Sequence, residues 1–225
     1  MAHVIAVPVG EKTIAHSQAF LAAQAAGNNT AAQELISRVD GMTEDMLQLF
    51  LIQPTQFVTL SGGQQRIIDF AVSTANKASH MLTRQIFKKC SAQELAPLAE
   101  LMKAQTWEAE EANGNKTRIC VEVDAKLVED FHQAKAFCEE GKAKEHIDLL
   151  TSVMDTLTEE ILTNFFVAPT DHVKMGFVTK KALHVGVDGS RKAIRAVTNK
   201  VMRELDEKAL VAFFNHFGQV ILDRP

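Results

Sequence analysis

Residues 42–58 read MTEDMLQLFLIQPTQFV, and residues 157–173 read LTEEILTNFFVAPTDHV. The two stretches align without a gap at an offset of 115 residues, and seven of the seventeen positions are identical. Chance would give about one identity, so the chain is predicted to contain two copies of one unit. The identical pairs are Thr43/Thr158, Glu44/Glu159, Leu47/Leu162, Phe50/Phe165, Pro54/Pro169, Thr55/Thr170 and Val58/Val173. We call residues 42–58 and 157–173 the signature segments.

The same offset extends to both sides of the signature segments. Downstream it pairs Lys77 with Lys192, and upstream it places HVIAVPVG at residues 3–10 over RICVEVDA at residues 118–125. Both upstream runs are short and apolar, as is typical of strands. Twice 115 is close to the full 225 residues, which leaves no room for a third domain.

The predicted fold is therefore mainly α, a tandem duplication of a strand-plus-helices unit of about 115 residues. An α+β fold with a small sheet is the alternative. The first repeat is placed at residues 1–110 and the second at residues 111–225. We expect the two repeats to pack as one compact body with pseudo-twofold symmetry, as in a fused homodimer.

Helix signals within the repeats place several boundaries. The alanine-rich stretch 13–26 ends at Gly27, and residues 128–140 end at Gly141, as expected of helices that close on glycine. A second helix is predicted from about residue 30 to residue 39. Residues 103–116, rich in glutamate and containing Asn-Gly-Asn, are interpreted as a hinge between the repeats.

The signature segments themselves are interpreted as a capped helix. Thr43 is predicted to be the N-cap because two acidic residues follow it in the first turn. Pro54 is predicted to stop the helix. Phe50 and Phe165 are predicted to be buried, since large aromatic residues at matching positions usually anchor a core.

A long helix is predicted over residues 64–89, where apolar and small residues recur at spacings of three and four. Residues 183–205 repeat the pattern, although their glycines leave a strand ending at Val187 as the alternative. Residues 64–72 and 180–187 thus stay open between helix and strand.

Small residues occupy matching positions of both long stretches, as Ala71 matches Gly186 and Ala75 matches Ser190. Small side chains let two backbones approach closely. We therefore expect the two long helices to cross at these positions.

LSGGQQR at residues 60–66 is similar to the signature motif of ATP-binding-cassette ATPases, in which glycine N–H groups at a helix start contact phosphates. Such ATPases also need an upstream GxxxxGK[ST] loop and a downstream apolar strand ending in acidic residues, and the chain contains neither. We interpret the motif as a chance match at the start of a helix.

No other pattern predicts catalysis, metal binding or a cofactor. The chain has no HExxH, no pair of ExxH motifs and no Cys-x-x-Cys, and none of its eight histidines is repeated at the offset of 115. We assign no catalytic, metal-ligating or cofactor-binding residue and expect no cofactor. The sequence favours a protein without catalytic activity.

Composition indicates a globular protein, with 46% hydrophobic residues, 23% charged residues and a formal charge of -4. The N-terminus lacks a secretory leader and no run of 18 apolar residues occurs, so a cytoplasmic location without a membrane partner is expected. The three cysteines do not match each other across the repeat, and we expect them to be reduced and mostly buried.

Charge distribution gives one functional clue. Residues 174–203 contain eight basic residues in a chain that is acidic overall. Lys181, Lys192, Arg195 and Arg203 are separated by roughly whole helical turns, so the four could share one face. We assign these four residues as a candidate anion-binding site, with pairing to acidic helices as the alternative.

Three functions follow from these observations. The first is a non-enzymatic helical interaction or assembly protein that associates with itself or with another protein. The second is binding of nucleic acid or another anion through the basic helix 174–203. The third is a small-molecule binding protein or enzyme with its site between the two repeats, where a polar pocket would be expected.

Overall fold

The computed structural model describes residues 2–57, 60–111 and 114–224. In the first half, its elements are β1 (Ala2–Pro8), α1 (Glu11–Ala25), α2 (Ala31–Leu47), α3 (Gly62–Phe87), α4 (Ala96–Gln105) and β2 (Thr106–Glu111). In the second half, they are β3 (Gly114–Glu122), α5 (Ala125–Glu139), α6 (Ile147–Leu162), α7 (Phe177–Glu204), α8 (Glu207–Phe217) and β4 (Ile221–Arg224). The predicted mainly α fold with a small sheet is confirmed. Each half consists of a strand, four helices and a second strand, in that order. The tandem duplication and its pseudo-twofold axis stay predictions.

The four strands form one antiparallel sheet in the order β2-β3-β1-β4. At its centre β1 pairs with β3, with Ala6 opposite Cys120. The outer strands also cross over, because β2 pairs with β3 and β4 pairs with β1. Every strand pairing in the described residues therefore joins one half to the other.

The two faces of the sheet have different surroundings. Ile5, Val7, Ile119 and Val121 point into the main core, which also contains apolar residues of α2, α5, α6, α7 and α8. The opposite face carries a separate small cluster of Val4, Ala6, Cys120, Trp107 and Leu222. The sheet thus closes one end of the helical body.

The prediction of a hinge at residues 103–116 is wrong. These residues form the end of α4 and the β2–β3 hairpin, whose Ala112 and Asn113 lie outside the described residues. Ala109 is buried while Glu108 is exposed, which is the alternation of a strand. The glutamates of this stretch belong to the outer strand of the sheet.

The prediction of an N-cap at Thr43 is also wrong, because α2 runs without interruption through it. The Thr43 hydroxyl donates to the carbonyl of Val39, one turn earlier in the same helix. Gly41 does not break α2. A Cβ at Gly41 would lie 2.7 Å from Thr13 Oγ1, so this glycine permits close approach of α1 to α2.

Asp45, expected in the first turn of that helix, stabilises the start of a different one. Its carboxylate accepts hydrogen bonds from the Gly10 backbone N–H at 3.0 Å and from the Thr13 hydroxyl at 2.7 Å. Both donors belong to the start of α1, where a negative charge is favoured.

Each signature segment ends in the same irregular way. A π-helical turn follows α2 at residues 48–52 and α6 at residues 163–167. A 3₁₀ turn follows each, at residues 53–57 and 168–172, and contains Pro54 or Pro169. The wider π turn changes the direction of side chains at the end of the helix, and such turns are frequent at functional sites.

The long-helix prediction is confirmed for both halves. Residues 64–72 and 180–187 lie within α3 and α7, so the alternative of a strand ending at Val187 is wrong. The two helices pack against each other. A Cβ at Gly186 would lie 2.5 Å from Leu82 Cδ1, which confirms close approach at this glycine, whereas a Cβ at Gly189 would meet open space.

Several smaller predictions can be compared with the structure. Gly27 and Gly141 have φ values of 66° and 70°, the left-handed conformation expected after α1 and α5. Phe165 is buried as predicted, but Phe50 is only half-buried and stacks on Phe217.

The three cysteines are free, and two of them are buried. Within the described residues, no helix is long and apolar enough to cross a membrane.

The close approach of α3 to α7 predicts different outcomes for two glycines of the same helix. Gly189→Ala should stabilise the protein by about 1 kcal/mol, because alanine favours the helix and meets no neighbour. Gly186→Ala should stabilise the protein clearly less than Gly189→Ala, or destabilise it, because its methyl group displaces Leu82. Urea unfolding of both variants measures the difference. Equal stabilisation by the two substitutions would contradict the observed helix crossing.

Candidate functional site: an apolar cavity between the halves

A cavity with a volume of about 170 Å³ lies between the two halves. Its walls come from α2, α3 and the π turn 48–52 of the first half, and from α6, α7 and the π turn 163–167 of the second. Phe213 and Phe217 of α8 complete the lining. We call it the junction cavity.

The repeated residues of the signature segments converge on this cavity. Five of the seven identical pairs line it, namely Thr43/Thr158, Leu47/Leu162, Phe50/Phe165, Pro54/Pro169 and Thr55/Thr170. Thr83 and Thr198, which also match at the offset of 115, line it as well. The signature segments are interpreted from the sequence as a helix cap, a core face and a helix stop. In the structure, their identical residues form much of the wall of one cavity.

The lining is almost entirely apolar. Its polar side chains are hydroxyl groups, from Thr43, Thr55, Ser79, Thr83, Thr158, Thr170, Ser190 and Thr198. Among the described residues no charged side chain lines it. The polar pocket expected between the repeats for a small-molecule binding protein or enzyme is therefore not what the structure shows at this junction.

Most of these hydroxyl groups donate their proton to the backbone of their own segment. Thr83 donates to the Ser79 carbonyl at 2.7 Å, and Thr158 donates to the Met154 carbonyl at 2.8 Å. Thr198 bonds the carbonyl one turn earlier in α7 in the same way. A hydroxyl that has given its proton to the backbone can still accept a hydrogen bond. The walls therefore present methyl groups, aromatic rings and hydrogen-bond acceptors.

The π turns are held by the same residue type in both halves. Thr55 donates to the carbonyl of Ile52 at 2.7 Å, and Thr170 donates to the carbonyl of Val167 at 2.6 Å. Ile52 and Val167 are the last residues of the two π turns. These bonds fix the irregular turns that carry Phe50 and Phe165 to the cavity wall.

The space arises from a mismatch in side-chain size. On α3 and α7 the wall contains Ala75, Ala78, Gly186 and Ser190. Large side chains from α2, α6 and the π turns face these small residues from the other walls. Ala75, Ala78 and Ser190 add little side-chain volume to this wall, whereas Gly186 lies where α3 approaches α7 so closely that a Cβ would lie 2.5 Å from Leu82 Cδ1.

The candidate anion-binding residues lie outside the cavity, exposed on α7. Arg195 forms an ion pair with Glu159 at 3.1 Å, and Arg203 forms one with Asp148 at 2.6 Å. Both acids belong to α6, so part of the basic face is paired within the molecule. Lys181 and Lys192 form no ion pair with a described residue. Their role in binding an anion stays a prediction.

The LSGGQQR motif has a structural role at the start of α3. Ser61 Oγ accepts from the Gln64 N–H at 3.3 Å, and Gln64 Oε1 accepts from the Ser61 N–H at 2.6 Å. This reciprocal pair is a capping box. Gln64 Nε2 also donates to Glu204 at the end of α7, at 2.7 Å, and so ties the two long helices together.

The described residues contain no group of three or more His, Cys, Asp or Glu side chains placed to hold a metal ion. Comparisons with protein-family models, curated proteins and solved structures find no match to this chain. The junction cavity is therefore the feature from which function can be argued.

The sequence identified residues of this site but did not show that they line a cavity. The identical pairs marked the cavity wall, but their pattern also fits an ordinary helix core. The signal that could have indicated a site is the repetition of residues with no obvious core role, Thr55 and Thr170, beside the two prolines. The volume itself depends on how the halves meet.

Proposed function

We propose that this protein binds a small, mainly apolar molecule in the junction cavity. The observation that supports the proposal is the convergence of the repeated residues on one apolar cavity between the halves. This is the third function considered from the sequence, with binding in place of catalysis, because the wall contains hydroxyl groups as its only described polar side chains.

The size of the cavity makes an empty state costly. Protein interiors pack about as densely as organic crystals, and few voids exceed a water molecule. Side chains that line an unfilled space lose packing contacts on that side, which costs folding free energy. A bound apolar molecule would recover much of this free energy.

The chemistry of the wall restricts the occupant. Water finds few hydrogen-bond partners there, and apolar cavities of about this size stay dry and admit apolar molecules instead. The hydroxyl groups of Thr83, Thr158 and Thr198 offer acceptors, so a ligand with one hydroxyl or N–H donor is tolerated in the wall. The part of the ligand that lies in the junction cavity is therefore an uncharged hydrocarbon or aromatic group.

A binding experiment with a matched pair of variants tests the proposal. The neutral fluorescent probe N-phenyl-1-naphthylamine should bind saturably, and Ala75→Leu should weaken its affinity by about tenfold or more, because the leucine occupies cavity volume. Asn76→Leu adds the same side chain at the neighbouring, exposed position of α3 and should leave the affinity unchanged. Fluorescence titration measures all three proteins.

Failure of the probe to bind the unsubstituted protein would overturn the proposal. Equal affinity of the Ala75→Leu variant and the unsubstituted protein would show that the probe binds elsewhere. Thermal unfolding monitored by circular dichroism confirms that each variant is folded before it is titrated.

We propose self-association as a second function, favoured by apolar side chains on the outer surface of the long helices. Phe70 is 67% exposed and Val185 is 65% exposed, and the two match at the offset of 115. Single exposed apolar side chains are common, so it is their match at the offset of 115 that favours a protein interface. Sedimentation equilibrium should show association that Phe70→Glu together with Val185→Glu abolishes. A concentration-independent monomer mass for the unsubstituted protein would contradict this function.

A further inference from the structure

Arg38 is a buried cation with no acidic partner among the described residues. It lies on α2 with only 6% of its surface exposed, and its Nε donates to the Ser17 hydroxyl at 3.2 Å. No carboxylate of a described residue forms an ion pair with it. Burial lowers the pKa of Arg38 to about 10, which leaves it protonated at neutral pH.

A buried charge of this kind is expensive to keep. Removal of a cation from water costs several kcal/mol unless an opposite charge compensates it. The matching position in the second half is Val153, which is also buried. The matching helix position in the second half thus holds an apolar side chain, whereas the first half buries a cation there.

A smaller cavity of about 40 Å³ lies beside Arg38. Its described polar lining consists of Arg38 and Gln105, and the remaining walls are apolar. Val39, Phe87, Phe165 and Pro169 line both this cavity and the junction cavity. The two cavities are neighbours that share walls. The junction cavity is apolar apart from hydroxyl groups, and the smaller cavity is cationic.

The guanidinium group has five N–H donors, and the hydroxyl of Ser17 accepts from one of them. A carboxylate accepts two parallel N–H bonds from such a group and supplies the missing negative charge. The small size of the cationic cavity suits the three heavy atoms of a carboxylate. A hydrocarbon attached to that carboxylate reaches the junction cavity if side chains of the shared wall, such as Val39 and Phe87, move aside.

We propose that Arg38 binds the carboxylate of an apolar monocarboxylic acid whose hydrocarbon part occupies the junction cavity. The inference rests on the proposed function, which requires that the junction cavity bind an apolar molecule. It adds the charge of the ligand and its orientation between the two cavities. Gln105 supplies a second polar group next to the carboxylate.

The test compares decanoate with 1-decanol, which have chains of equal length and different head groups. Both compete with N-phenyl-1-naphthylamine at pH 7, and the unsubstituted protein should bind decanoate about tenfold or more tightly than 1-decanol. Arg38→Met should remove this preference and leave the affinity for 1-decanol unchanged. Arg84→Met, which removes an exposed arginine of α3, should behave like the unsubstituted protein.

Three results separate this inference from the proposed function. Equal affinities of the unsubstituted protein for the two ligands, with both displacing the probe, would overturn the role of Arg38 and leave the proposed function intact. Unchanged decanoate affinity in the Arg38→Met variant would do the same. Absence of probe binding would overturn the proposed function itself and the inference with it.

A second variant guards against misfolding of Arg38→Met. Arg38→Lys keeps the positive charge and loses the planar pair of donors, so decanoate affinity should fall while 1-decanol affinity stays the same. Full decanoate affinity with lysine or methionine at this position would show that the carboxylate lies elsewhere.

Discussion

The hydrogen bonding of β1 to β3 is the interaction on which the rest of the structure depends. The two strands belong to different halves and pair at the centre of the sheet, with Ala6 opposite Cys120. The outer strands β2 and β4 each pair with the first strand of the other half, so no described strand pairs within its own half. The packing of α3 against α7 is a second contact between the halves, and the bond from Gln64 to Glu204 joins the start of one to the end of the other. The halves are thereby fixed face to face, and their shared surface becomes an interior.

What that interior contains follows from side-chain size. The signature segments contribute large residues such as Phe50 and Phe165, carried on π turns that Thr55 and Thr170 hold in place. The long helices contribute small residues, and at Gly186 the approach is so close that a side chain would collide with Leu82. A junction fixed at its strands and helices cannot collapse around the remaining space. The combination explains how an apolar cavity of about 170 Å³ persists in a fold of this size.

Much of the fold could be predicted because its signals are local. The periodicity of residues 64–89 and the glycines at positions 27 and 141 mark helices and their ends in the sequence itself. Thr43 was misassigned because a threonine before two acidic residues looks the same at an N-cap and inside a helix. In the structure α2 continues from Ala31 to Leu47, and the Thr43 hydroxyl donates to the Val39 carbonyl within it. The candidate site depends even more on tertiary structure. A sequence can show that Arg38 is present, but the lack of an acidic partner and the neighbouring cavity exist only after α1, α2 and α4 have packed.

The central claim is that the junction cavity holds an apolar molecule, and a crystal structure with 1-bromodecane tests it most directly. Anomalous scattering from bromine locates the ligand independently of the protein coordinates. The account predicts a bromine peak or the alkyl chain inside the cavity, between Phe50 and Phe165, with the π turns at residues 48–52 and 163–167 preserved. A junction closed by repacked side chains, with the bromine elsewhere on the protein or missing, would contradict it.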